Sequence, residues 1–247
     1  MEQVLGYPEA SPAPPASYAG LVEWLSFPAG LLIMAGLFTR KVSLALAGMY
    51  IALAFVGPFQ RGLLTHRNGA DPIVLSAFFF LYLAAAGGGA WSLDRRRNPT
   101  AERAADVAWE PHALALLRVV AGLLFVMHGL EKLFAIGGAG RITRSILTVR
   151  GFAGYLETTG GPLIALGFLT RPLAFILAGQ MAVAYFTSWA PRGFWESFAE
   201  AGMEASVLFC YLYLFLSSRG AGPYSLDGAR RAWRAVDRRR VPLPADG

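Results

Sequence analysis

Long apolar runs, separated by short clusters of charge, organise this chain. The runs fall at 21–38, 41–59, 72–90, 112–136, 157–170, 172–190 and 202–218. An α-helix rises about 1.5 Å per residue, so roughly 17 to 25 apolar residues carry it across the hydrocarbon layer of a bilayer. The pattern therefore predicts about seven transmembrane helices, the fifth being the shortest and the most interrupted by Gly and Pro. Composition agrees, because 55% of the 247 residues are hydrophobic and only 15% are charged. That is more apolar surface than a water-soluble core of this size would hide, so the expected class is an all-α integral membrane protein in contact with the lipid bilayer.

Charge then sets topology. The chain carries a formal net charge of +6, but its arginines lie between apolar blocks and not on one face with interleaved aromatics, which argues against a nucleic-acid partner. Arg95, Arg96, Arg97 and Arg103 follow the third run, and Arg219, Arg230, Arg231, Arg234 and Arg238 to Arg240 follow the seventh. The positive-inside rule then puts the N-terminus outside and the C-terminus in the cytoplasm. Arg141, Arg144 and Arg150 fall outside in this scheme and oppose it, but they are outweighed by the terminal clusters. Residues 1–20 hold no Lys or Arg and many Pro and Ala, and read as a flexible tail without the basic segment of a signal peptide.

The chain also resembles itself. Gly30 to Arg40 aligns with Gly161 to Arg171 at an offset of 131, sharing Gly36/Gly167, Thr39/Thr170 and the arginine after each. Ser92-Leu93-Asp94 repeats as Ser225-Leu226-Asp227 at an offset of 133. Separated matches that keep one register apart from a two-residue slip indicate duplication. The expected organisation is a tail at 1–20, a truncated unit of three helices at 21–94 and a basic polar linker at 95–111. A complete unit of four helices at 112–227 and a basic cytoplasmic tail at 228–247 follow.

Ionisable side chains inside spans cost a few kcal/mol each, so they face partners, cavities or ligands. Arg118, His128 and Lys132 share one side of the fourth span: Arg118 and Lys132 lie within about 40° around the helix and about 21 Å apart along it, with Glu131 on the flank. By depth, His128, Lys132, Glu157 and Glu204 form an outer cluster. It suits proton exchange and hydrogen bonding to a carbonyl, and it equally suits an interhelical ion pair that fixes packing. The inner set, Arg118, Arg171 and Asp227, reads first as structural, capping helix ends and reaching to headgroups, and second as cofactor-binding.

Other chemistry is excluded by residue type or spacing. Cys210 is the single cysteine, which rules out an internal disulfide, a thiolate zinc site and a cluster. His112 and His128 stand about 24 Å apart on one helix and cannot share a metal, and His66 lies in a loop. No haem, flavin or metal motif is present, and Gly87-Gly88-Gly89 lacks the strand and helix of a dinucleotide fingerprint.

Leu117-Arg118, Phe125-x-x-His128-Gly129-x-x-Lys132-Leu133-Phe134, Gly167-Phe-Leu-Thr170-Arg171 and Gly222-Pro-Tyr224-Ser225-Leu226-Asp227 together resemble the DoxX family of small bacterial and archaeal membrane proteins. The resemblance covers 114–227. Residues 20–94 share it through Thr39-Arg40 and Trp91-Ser92-Leu93-Asp94, without the Arg…His-Gly…Lys helix. It implies two DoxX-like units in a bacterial plasma (inner) membrane. Related members include the membrane subunit of thiosulfate:quinone oxidoreductase, so a quinone is the implied cofactor and other membrane or redox subunits are the implied partners. On this reading His128 or Lys132 meets the quinone and Glu157 or Glu204 carries protons. The sixth run departs from the family, ending in Tyr185-Phe186-Thr187-Ser188 without the histidine found there. The alternatives are a non-catalytic subunit that scaffolds a larger complex and, third, a small-molecule transporter built on a parallel repeat.

Overall fold

The computed structural model describes residues 18–56, 70–97, 99, 109–136, 142–143, 145–192 and 201–240. Residues 1–17, 57–69 with His66 and Gly69, 98 and 100–108 of the expected linker, 137–141, Arg144, 193–200 and 241–247 lie outside these, with the expectations that rest on them. The described residues contain helices and no strand. In chain order they are α1 (Tyr18–Ala35), α2 (Thr39–Val56), α3 (Ala70–Ala86), the short α4 (Leu93–Arg97), α5 (Glu110–Phe134), α6 (Val149–Leu166), α7 (Thr170–Ala184), α8 (Ala201–Arg219) and α9 (Leu226–Arg240). The end of α7 continues as a π-helical turn, Tyr185–Trp189, and a 3₁₀ turn, Ala190–Arg192.

Among the described residues, three helical stretches are long and apolar enough to cross a membrane: Thr39–Val56, Glu110–Phe134 and Thr170–Trp189. Gly20–Ala35 and Asp71–Ala86 are shorter apolar helices. Large apolar side chains stand exposed along them, among them Phe27, Met34, Phe55 and Phe175. Water would penalise this surface; lipid would not.

Two helices differ from the sequence expectation. The fifth begins at Val149 and not at 157, because the Thr148 side chain accepts a hydrogen bond from Gly151 N at 3.1 Å and starts the helix two turns early. Residues 228–240, expected as part of a basic tail, lie in α9, which starts at Leu226. Asp227 in its first turn places a carboxylate where the helix dipole favours one.

The chain forms two compact units, residues 1–107 with 181–208 and residues 108–180 with 209–247. In the first, α1 packs on α2 and α2 on α3. In the second, α5 packs on α6 through glycines. A Cβ on Gly122 would come within 2.5 Å of Gly161 O, and one on Gly129 within 2.5 Å of Thr158 N. Small residues seven positions apart on each helix thus let the backbones touch, which is how helices associate where the solvent is as apolar as their side chains. Phe125, Phe209 and Tyr213 fill the interior of this unit, with Phe125 and Tyr213 edge to face at 4.9 Å.

Each unit contains a turn with the same bonds. In the first, the Asp94 carboxylate accepts from Phe38 N at 2.9 Å and Thr39 N at 2.8 Å, while Asp94 N donates to Gly36 O. In the second, Asp227 accepts from Leu169 N at 3.0 Å and Thr170 N at 2.9 Å, while Asp227 N donates to Gly167 O. Each aspartate therefore caps the first free amides of the helix that starts at the threonine. Gly36 and Gly167 adopt φ of 66° and 69°, and a Cβ on either would lie 2.4 Å from the Cβ of Ser92 or Ser225. Only glycine meets both demands.

Candidate functional site

The second unit carries polar groups at both ends of α5. Near its C-terminal end, Lys132 Nζ donates to both oxygens of the Glu157 carboxylate, to Oε2 at 2.5 Å. Glu157 is wholly buried, whereas the Lys132 side chain is 19% exposed. The close glycine packing of α5 on α6 brings the two together, since Gly129 lies one turn before Lys132 and Gly154 one turn before Glu157. A third side chain completes the cluster: Gln180 Nε2, from α7, donates to Glu157 Oε1 at 2.5 Å. Its other end is different. Gln180 Oε1 is buried and accepts no hydrogen bond among the described residues.

Sequence reasoning put Lys132 and Glu157 together and overlooked Gln180. The available signal was that Gln180 is the one polar side chain between Leu173 and Ala184, in an otherwise apolar helix. His128 is half-buried, and its ring meets Phe209 edge to face at 5.8 Å. Glu204 is exposed in the first turn of α8 and belongs to the first compact unit.

At the other end of α5, Arg118 is 2% exposed. Its guanidinium donates to Ala221 O, and to Tyr224 O at 2.8 Å. These carbonyls belong to the loop between α8 and α9, where a helix end leaves acceptors unpaired. Beside it, His112 stacks obliquely on Tyr224 at 4.6 Å. Burial alone would raise the Asp227 carboxyl, but the amides of Thr170 and Leu169, together with Arg231, hold it below its ordinary value. Arg118 and Asp227 thus tie loops to helix starts. Arg171 is exposed and reaches Arg219 O at 3.4 Å.

A buried lysine–carboxylate–amide cluster inside apolar helices with lipid-compatible surfaces defines an α-helical membrane protein. The DoxX family pattern matches residues 113–190. A protein of Haemophilus influenzae described as uncharacterized is 36% identical over 125 residues, covering 48% of this chain and 91% of the relative. An uncharacterized membrane protein of Mycobacterium tuberculosis is 30% identical over 133 residues, covering 47% of this chain and 80% of the relative. No solved structure matches. The chain belongs to the DoxX family.

Proposed function

We propose that this chain is the membrane subunit of a quinone-linked oxidoreductase system of the thiosulfate:quinone kind, and that Lys132, Glu157 and Gln180 form its quinone-facing polar site. The observation that carries this reading is Gln180 Oε1, a buried acceptor without a donor among the described residues. Leaving such an atom unpaired costs about 1–3 kcal/mol, a cost removed by a ligand that brings a hydroxyl. The residues fit a quinone head group: Lys132 supplies a donor for a carbonyl oxygen, and Gln180 Oε1 supplies an acceptor for the hydroxyl of the reduced form. A bound quinone supplies two-electron, two-proton chemistry. Glu157 holds Lys132 and Gln180 in place, with Lys132 Nζ the partly exposed donor of the cluster. Electrons come from a partner subunit or a small reductant.

The proposal includes seven spans, an N-terminus outside a bacterial plasma membrane, and an origin by duplication, for which the matched Asp94 and Asp227 turns are the support. A second reading has its own observation: Lys132 and Glu157 satisfy each other, as an interhelical tie in a scaffolding subunit would. Purification from the native membrane in mild detergent, with identification of extractable quinone and co-purifying polypeptides, separates the two. Retained quinone supports the redox site. A stable partner complex devoid of quinone supports the scaffold.

A further inference from the structure

The second unit has a basic concavity that the quinone reading does not use. Two adjoining cavities, of about 530 and 320 Å³, share Arg171, Gly220 and Arg231 as walls. Arg219 completes the lining of the larger, and Arg230 and Arg234 that of the smaller. Five guanidiniums from α7, α8 and α9 therefore converge on one place. Among the described residues, Arg219 makes a salt bridge to Glu110 at 2.7 Å, while Arg171, Arg230, Arg231 and Arg234 make none. Asp227 lines the smaller cavity, but its two oxygens are turned to the amides of Leu169 and Thr170.

The first unit offers a comparison for the arginine at this turn. Arg40, one residue after Thr39 as Arg171 is after Thr170, donates to Ala85 O, and to Ala84 O at 3.2 Å. It is spent on the carbonyls ending α3. Arg171 has one long bond, 3.4 Å to Arg219 O, and is exposed. Its neighbours also keep the wall open. Gly220 and Gly222 have φ of 83° and 77°, and a Cβ on Gly220 would sit 3.2 Å from Arg171 Nε. The nearby amides are already engaged, Gly228 N by Ser225 Oγ at 2.9 Å and Asp227 N by Gly167 O at 2.9 Å. Any anion is then held by the side chains and not by the start of α9.

We infer that this arginine-lined concavity binds a phosphate oxyanion. Arg is the side chain whose planar fork matches phosphate oxygens in pairs. Four guanidiniums without a salt bridge in one concave site, against the single carboxylate of Asp227 that Arg231 also faces, leave a net positive charge to match such a group. Two sources offer it: the headgroup of an anionic phospholipid, and a free soluble phosphate. On α9 the apolar positions Leu226, Ala229, Trp233 and Val236 fall on one face, with Trp233 71% exposed. That face suits the boundary between headgroups and acyl chains, next to the cavity.

The test is thermal unfolding of the full chain, followed by tryptophan fluorescence, in two titrations. Inorganic phosphate is added against chloride at matched ionic strength in neutral-lipid nanodiscs, and phosphatidylglycerol replaces phosphatidylcholine in a second series. Arg230→Gln with Arg234→Gln removes two cavity charges at exposed positions, and Lys41→Gln with Arg150→Gln removes two exposed charges elsewhere. Single Arg231→Gln is run beside them in case the double variant unfolds. Stabilisation of wild type and of the Lys41/Arg150 variant, with an apparent affinity at least about tenfold weaker in the cavity variants, is expected, since each charged hydrogen bond is worth about a factor of ten. A response to inorganic phosphate identifies a soluble ligand, and a response to phosphatidylglycerol alone identifies a lipid headgroup. Absence of both responses, or equal loss in the cavity variants and the Lys41/Arg150 variant, overturns the inference.

Discussion

Lys132 and Glu157 are joined through both carboxylate oxygens across the glycine-packed seam of α5 and α6, with the carboxylate fully out of solvent. Neither residue is tolerable there alone. Removing Lys132 as Lys132→Met strands a buried charge and should destabilise the chain by roughly 3–5 kcal/mol. The double variant Lys132→Met/Glu157→Leu should recover most of that loss. Thermal unfolding of the four members of the cycle in one detergent measures it, and full additivity would deny the coupling.

The seam itself should be intolerant of a methyl group. Gly122→Ala sets a Cβ 2.5 Å from Gly161 O, a backbone atom that cannot rotate away. We expect a loss of about 1–3 kcal/mol, typical of overpacking. Gly179→Ala, where a Cβ meets nothing within 4 Å, should be neutral in the same assay.

The Asp227 turn gives a pH dependence of known sign. Its native carboxyl lies below the ordinary value, chiefly because the amides of Thr170 and Leu169 overcome the opposing effect of burial. A group depressed in the native state stabilises fully above its unfolded pKa, about 4, and loses that contribution as pH falls through the lower native value. Unfolding temperature should drop between those limits in wild type and less in Asp227→Asn. Near neutral pH, Asp227→Ala should cost about 1 kcal/mol, as loss of a helix cap does.

Arg118 predicts a different failure. Its guanidinium serves the carbonyls of Ala221 and Tyr224, so Arg118→Met leaves two acceptors behind. A cost of roughly 3 kcal/mol is expected. Arg118→Lys should recover only part of it, because a single ammonium cannot copy a fork that reaches two carbonyls. Protease sensitivity of the loop between α8 and α9 would report the loosening directly.

Much of this was visible in the chain. Apolar runs located α1, α2, α3, α5, α7 and α8, because in lipid a buried helix needs no alternation to announce it. Charge obscured the rest. Arg150 and the two glycines Gly151 and Gly154 in the first turns of α6 masked a helix whose Thr148 cap was nonetheless readable. In α9, six arginines and two aspartates hid the spacing of Leu226, Trp233 and Val236.

The site was legible to the same degree. Lys132 and Glu157 stood out because ionisable groups in spans are costly. Gln180 did not, being uncharged, although it is hydrogen-bonded to the same carboxylate. The ring contact of His128 with Phe209 depends on residues 81 positions apart, a pairing that helical periodicity along α5 alone does not specify.

The most direct test of the quinone site is Gln180→Leu. This substitution keeps the Lys132–Glu157 pair and removes only the buried acceptor and its amide. Quinone per mole of protein should be measured by extraction from wild type and variant purified side by side, with unfolding temperature as the control for folding. The account predicts bound quinone in wild type and its loss in a variant that unfolds within a few degrees of wild type. Equal quinone content in the two, or none in either, would contradict it.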